Sequence, residues 1–145
     1  MKVERMCGED CFDISNLCAQ LGYDSSVEQI RERFAKIKNN LGHRIFVVRD
    51  KNKVIGFAHV CVEFSIETGS FVRIAGLIVD EVCRGQGVGT MLLRAAEGWA
   101  RSKGYESIRV NLPELTLGVS FYSNNFVVWP ASSLPCFSMY FWIMS

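Results

Sequence analysis

The sequence predicts a mixed α/β (α+β) domain, with a mostly antiparallel central sheet of about six to seven strands flanked by about four helices. Three observations carry this. Apolar, β-branched runs at 44–49, 54–65 and 71–79, separated by short polar loops, form an antiparallel three-strand meander. A glycine-rich turn, Arg84-Gly85-Gln86-Gly87-Val88-Gly89, leads from the third of these straight into an amphipathic helix. A further strand, Ser107 to Leu112, follows that helix, and a crossover helix makes it a parallel neighbour of another strand.

The elements follow in order. Lys2 to Met6 is a short strand. Asp10 is placed to cap a helix reaching about Gln20, with Ile14, Leu17, Cys18 and Leu21 on one face and Gly22 as its stop. Ser25 and Glu28 have capping-box spacing and open a second helix, with Val27, Ile30, Phe34 and Ile37 on its apolar side. Asp50-Lys51-Asn52-Lys53 turns the first hairpin, and Glu67 to Ser70 the second. The helix after the glycine turn runs from about Gly87 to Lys103, with Val88, Met91, Leu92, Ala95, Ala96 and Trp99 in helical phase and Gly104 at its C′ position. Glu114 to Ser123 is expected as a fourth helix, and Phe126 to Trp129 and Phe137 to Ile143 as closing strands.

Composition narrows the function classes. A chain of 145 residues, 49% hydrophobic and 21% charged, suits one domain over 1–145 with a single core. A formal net charge of +1 lacks the basic stripe that a nucleic-acid partner requires. No apolar run of signal-peptide length follows Met1-Lys2-Val3-Glu4-Arg5, so a cytoplasmic protein is expected. The six cysteines, at 7, 11, 18, 61, 83 and 136, form no C-x-x-C pair, and no metal site is expected. They read as reduced thiols used as small hydrophobes.

The chemistry points to the turn. A strand that ends in alternating glycines at a helix N-terminus builds a cradle of bare N–H groups where the helix dipole favours an anion. Glycine lets the backbone approach a phosphate with no Cβ in the way. The dinucleotide pattern G-x-G-x-x-G fails, because position 90 is Thr, and the Gly-Lys-Ser/Thr of a P-loop is absent.

Leu77-x-Val79 followed by Arg84-Gly85-Gln86-Gly87-Val88-Gly89 resembles the signature of the GNAT acyl-CoA-dependent N-acetyltransferases, and Phe121-Tyr122 resembles that family's later Phe-Tyr pair. The element order is similar over nearly the whole chain. The resemblance implies acetyl-CoA as acetyl donor. Its pantetheine arm would lie along Leu77, Ile78 and Val79, and its pyrophosphate on the N–H groups from Gly85 to Thr90, with Arg84, Gly85, Gln86, Gly87, Val88, Gly89 and Thr90 all counted as cofactor-binding. It also implies an oxyanion donor at the Val79 N–H and Tyr122 as the proton donor to the leaving thiolate. His59, Cys61 and Glu63 share one strand face by alternation, while Val60, Val62 and Phe64 line the other. Glu63 is the first candidate for the base that deprotonates the amine, and His59 the second.

The chain departs from the family at Leu115, where Asn is common, at Gly118, where Ala is usual, and in the shortened segment Tyr122 to Phe126. It carries no Asp, Glu, Lys or Arg from Leu115 to Ser145. Pro130, Pro135 and four serines in the last twenty residues argue against a membrane anchor there, and a homodimer is the expected cover for this apolar region. The leading reading is acetyl transfer to a primary amine of a small molecule. A protein N-terminus or lysine as acceptor, a non-catalytic acyl-CoA sensor or scaffold, and an interaction subunit are the alternatives.

Overall fold

The computed structural model describes residues 1–111 and 125–127. Among these, six strands form one sheet in the order β1-β2-β3-β4-β5-β6: β1 (Lys2–Arg5), β2 (His43–Asp50), β3 (Lys53–Ser65), β4 (Gly69–Val79), β5 (Ile108–Asn111) and β6 (Asn125–Val127). Every neighbouring pair is antiparallel except β4 and β5, which run parallel as the crossover requires. The helices are α1 (Cys11–Gln20), α2 (Val27–Ile37) and α3 (Val88–Ser102). The meander, the parallel crossover and these three helices thus stand as the sequence predicts. The expected helix 114–123, the strand 137–143 and the ends of the strands at Leu112 and Trp129 lie outside the described residues.

Two apolar layers sandwich the sheet. On one face Val48, Ala58, Val60, Val72, Leu77 and Val79 pack against Val88, Leu92, Ala96 and Trp99 of α3. On the other, Val47, Val54, Phe57 and Ile78 meet Met6, Cys11, Ile14 and Leu17 of the first helical layer. Alternation along β3 and β4, interrupted at one register shift in each strand, sends neighbouring side chains to opposite layers, which is why both strands read as nearly continuous apolar runs.

Two caps differ from the sequence reading. The box at α2 is made by Ser26 and Gln29: Gln29 N–H donates to Ser26 Oγ at 3.1 Å, and Ser26 N–H donates to Gln29 Oε1 at 2.9 Å. Ser25 is drawn elsewhere, with Arg33 donating to its Oγ and Ser15 Oγ donating to its carbonyl. Asp10 stands at the N-cap position of α1 but makes no cap bond to that helix. Its buried carboxylate accepts instead from Cys7 N–H at 2.9 Å and Arg49 Nη2 at 2.8 Å. A buried charge demands a charged partner more strongly than a helix end demands a cap.

Gly56 sets how closely α3 approaches the sheet. A Cβ there would lie 2.9 Å from Val88 Cγ1 and 3.1 Å from the Ile78 carbonyl oxygen. Gly56→Val is therefore expected to lower stability by about 1–3 kcal/mol through overpacking. It should also displace the N-terminus of α3, and denaturant melts should show the loss.

Candidate functional site

β4 and β5 pair only from Val72↔Ile108 to Ile74↔Val110. Beyond Ile74, β4 continues to Val79 with no β5 partner among the described residues. A β-bulge falls where the two part. The β3 register passes from Val60↔Ile74 to His59↔Gly76, leaving Ala75 as the extra residue.

The bulge decides which backbone groups face the opening. Val72 N–H donates toward β5, to the Ser107 carbonyl, whereas Asp80 N–H donates toward β3, to the Ile55 carbonyl at 2.8 Å. Successive residues alternate sides. Counting back from Asp80, Ile78 turns its backbone to β3, while Leu77 and Val79 turn theirs to the open edge. Without the extra residue, parity from Val72 would place Gly76 and Ile78 there instead. Of the three strand residues expected along the ligand, Leu77 and Val79 thus present main-chain groups to the opening, and Ile78 does not. Arg84 Nε donates to the Val79 carbonyl at 3.3 Å, so the guanidinium closes off that acceptor and the Val79 N–H stays available.

The opening runs into the glycine turn. Gly85 and Gly87 take φ of +76° and +83°, the left-handed region, and a Cβ on either would meet nothing within 4 Å. Gly87 is the N-cap of α3 and supplies no side chain to its first turn. The first intrahelical bond is Met91 N–H to the Gly87 carbonyl, so the N–H groups of Val88, Gly89 and Thr90 lack helical partners. The result is a run of N–H groups without helical partners, beside two open glycines, at the positive end of a 15-residue helix. A phosphate group fits this chemistry.

A buried carboxylate holds the turn in place. Asp80, only 4% exposed, accepts from Val82 N–H at 3.2 Å, Gln20 Nε2 at 3.4 Å and Lys53 Nζ at 3.3 Å. Gln20 also accepts from Glu81 N–H at 3.0 Å, so the end of α1 is clamped to the start of the cradle. Burial pushes the Asp80 carboxyl up, but the Val82 N–H, Lys53 and Gln20 outweigh it and hold the group below the ordinary carboxylate range. A depressed carboxyl contributes stability above its unfolded pKa and loses it as pH falls through the lower folded value. Asp80→Asn is expected to cost about 1–3 kcal/mol at neutral pH, mostly through the buried donors left without a charged acceptor rather than the exposed Lys53. Urea melts across the acid range should show a shallower acid loss in the variant.

On the face toward α1 and α2, β3 carries His59, Cys61 and Glu63, as alternation requires. Glu63 is not free. Its carboxylate is ion-paired to Arg73 Nε of β4. Arg109 of β5 is in register with Arg73 and stacks its guanidinium 4.0 Å from the Phe71 ring centroid. His59 lies in register with Gly76, at the bulge, and His43 Nδ1 stands 3.0 Å from His59 Nε2. Burial, with His43 and Arg73 nearby, pushes the His59 imidazole down from 6.5 to about 4, so it is neutral at physiological pH. Burial pushes the Cys61 thiol up. Tyr122 lies outside the described residues. Among those described, no group of three or more His, Cys, Asp or Glu side chains is placed to hold a metal ion, and no helix is long and apolar enough to cross a membrane.

A parted parallel strand pair, a bulged edge and a helix-terminal N–H cradle thus lie along one continuous edge of the sheet. A family model described as Acetyltransferase (GNAT) family matches residues 9–123, and the chain belongs to that family. It is 34% identical over 92 residues to acetyl transferase GW6a of Oryza sativa subsp. japonica, an alignment that takes in 55% of this chain and 22% of that protein. The chain thus spans about a fifth of that relative. Among solved structures, it is similar to glucosamine-6-phosphate N-acetyltransferase from Arabidopsis thaliana, with a TM-score of 0.70, 21% identity and coverage of 78% of this chain and 82% of that one. It is also similar to aminoglycoside 6'-N-acetyltransferase AAC(6')-IG from Acinetobacter haemolyticus, with a TM-score of 0.72, 18% identity and coverage of 89% and 96%. At these identities the likeness concerns the fold.

Proposed function

We propose that the chain is an acetyl-CoA-dependent N-acetyltransferase acting on a primary amine of a small molecule. The observation that carries the reading is the continuity of the open β4 edge with the glycine cradle. In this reading the N–H groups from Gly85 to Thr90 hold the pyrophosphate, and the Val79 N–H donates to the pantetheine arm, which runs along the open edge as an added strand would. The oxyanion formed when the amine attacks the thioester is met in this reading by the Leu77 N–H rather than the Val79 N–H, because a chain entering from the cradle passes Val79 first and Leu77 stands beside the bulge, next to the register position of His59. One such donor is worth about 3 kcal/mol of barrier.

The base in this reading is His59 rather than Glu63. Glu63 is neutralised by Arg73, and His59 stands in register with the bulge. The histidine pair sets a condition on the tautomer. If His59 Nε2–H donates to His43 Nδ1, His59 Nδ1 keeps a lone pair and can accept the proton of the attacking amine. Tyr122 keeps the role that the resemblance implies, proton donor to the departing thiolate.

The test is calorimetric titration with acetyl-CoA, followed by thiol release in the presence of an amine panel. Binding with turnover is expected. Binding with no turnover for any amine, protein termini and lysines included, would favour the sensor or scaffold reading. Tyr122→Phe is expected to lower kcat about 10²-fold with acetyl-CoA affinity unchanged, a drop typical of a removed general acid. Wild-type turnover in that variant would remove Tyr122 from the scheme.

A further inference from the structure

The helices on the His59 side leave a gap above the sheet. α2 carries an apolar stripe of Val27, Ile30, Phe34 and Ile37, yet no residue of this helix is fully buried. Beneath it lies a cavity of about 300 Å³, walled by Ile14 and Cys18 of α1 and Ile30 and Phe34 of α2, and floored by Phe57 and His59 of β3. Arg33 also lines it and is exposed, with Nη1 donating to Ser25 Oγ at 2.8 Å. No carboxylate lines it among the described residues.

Size and charge select an occupant. An apolar cavity of roughly 150 Å³ admits benzene, so this one has room for an aromatic ring with a short chain. The ring would rest on Phe57 with the chain directed toward His59. From β3 to the open part of β4 is one strand spacing, about 4.8 Å, the reach of two or three chain atoms. A polycationic acceptor would find no carboxylate among the described lining residues and would face Arg33 instead, and a polyhydroxylated one would set its hydroxyls against mostly apolar walls. Burial keeps His59 uncharged, so the inner end can hydrogen-bond an amine without repelling it.

We propose that the acceptor is a primary amine on a compact apolar body, an aryl ring on a two- or three-atom chain, and that the ring lodges in this cavity. The inference rests on the acetyltransferase reading and names the substrate class of the same site.

The experiment compares 2-phenylethylamine and tryptamine with glucosamine and kanamycin as acceptors, by thiol release at fixed acetyl-CoA. The aryl amines are expected to show kcat/KM at least tenfold above the polar ones. Ile30→Trp, which fills the cavity from a helix with no fully buried residue, is expected to raise KM for 2-phenylethylamine at least tenfold while the Kd for acetyl-CoA stays constant. Phe34→Ala, which enlarges it, should shift preference toward tryptamine, and thermal melts check that both variants fold. Turnover of glucosamine or kanamycin in preference to the aryl amines overturns this proposal and leaves the enzyme reading standing. If acetyl-CoA binds and no amine is acetylated, the enzyme reading fails and the acceptor proposal fails with it. Direct calorimetry of 2-phenylethylamine then shows whether an aryl-ligand site survives as a separate finding: heat lost in Ile30→Trp keeps such a site, and no heat removes it.

Discussion

Replacing Gly87 with glutamate is expected to abolish measurable acetyl-CoA binding, a loss of more than 100-fold, while the protein still folds. Three effects act together. At φ of +83° any Cβ is strained by about 1–2 kcal/mol. The side chain would project into space that is open in this structure, where the pyrophosphate of the proposed donor would lie. Its carboxylate would put negative charge on the N–H groups meant for phosphate. That same charge sits at the N-terminus of α3, where it is worth roughly 0.3–1 kcal/mol to the helix and offsets part of the strain. The melting temperature should therefore fall by only a few degrees, since 1 kcal/mol corresponds to about 3–5 °C in a domain of this size. Gly87→Ala carries the strain without the charge and should weaken binding less. Calorimetry on the three proteins decides the matter: a glutamate variant that binds like wild type would mean the cradle is only a turn.

The parts of this site that were legible in the sequence are those where a residue type meets a local need. Gly85 and Gly87 are required by their own φ values, and the run of Val88, Leu92, Ala96 and Trp99 faces the sheet because the helical period puts it there. Alternation placed His59, Cys61 and Glu63 on one face for the same reason. What sequence reasoning missed depends on pairing between distant segments. Glu63 read as a free carboxylate because Arg73 meets it only through the β3–β4 register. His43 and His59 meet for a like reason only through the β2–β3 register, in which His43 faces Cys61 and Ile45 faces His59. The clamp of Gln20 and Lys53 on Asp80 joins three elements. One missed feature did leave a signal. Ala75-Gly76 interrupts a strand of β-branched and large apolar residues, and small residues inside a strand mark bulges. Ser25 and Ser26 show the opposite limit. Each is followed three residues later by a box partner, Glu28 or Gln29, and tertiary bonds from Ser15 and Arg33 decide between them.

Replacing His59 with phenylalanine is expected to lower kcat by about 10²–10³-fold, whereas Glu63→Gln should change it by less than tenfold. The contrast follows from what each group already does. Glu63 holds Arg73, and proton transfer to it would break a charge pair. His59 is uncharged and faces the side on which an amine would approach the bulge. A general base contributes about 10²–10⁴-fold, and a histidine held at about 4 belongs toward the lower part of that range, because it takes the proton only from the strongly acidic ammonium formed on attack. The groups around it are His43 on β2, Arg73 on β4, Arg33 on α2 and the thiols of Cys18 and Cys61, and no free carboxylate among the described residues stands by to raise its pKa. The acid limb of kcat/KM attributable to this group should accordingly lie near pH 4 rather than near 6.5. Stability gives an independent reading of the same shift. The folded state keeps His59 neutral while the unfolded chain protonates it, so this contribution is complete above about pH 6.5 and is lost as pH falls toward about 4. Urea melts of His59→Phe should lack that part of the pH dependence. An acid limb near 6.5 with an unchanged stability profile would show that His59 is solvated, and unchanged kcat in His59→Phe would remove it as the base and move the search to water held by the Glu63–Arg73 pair.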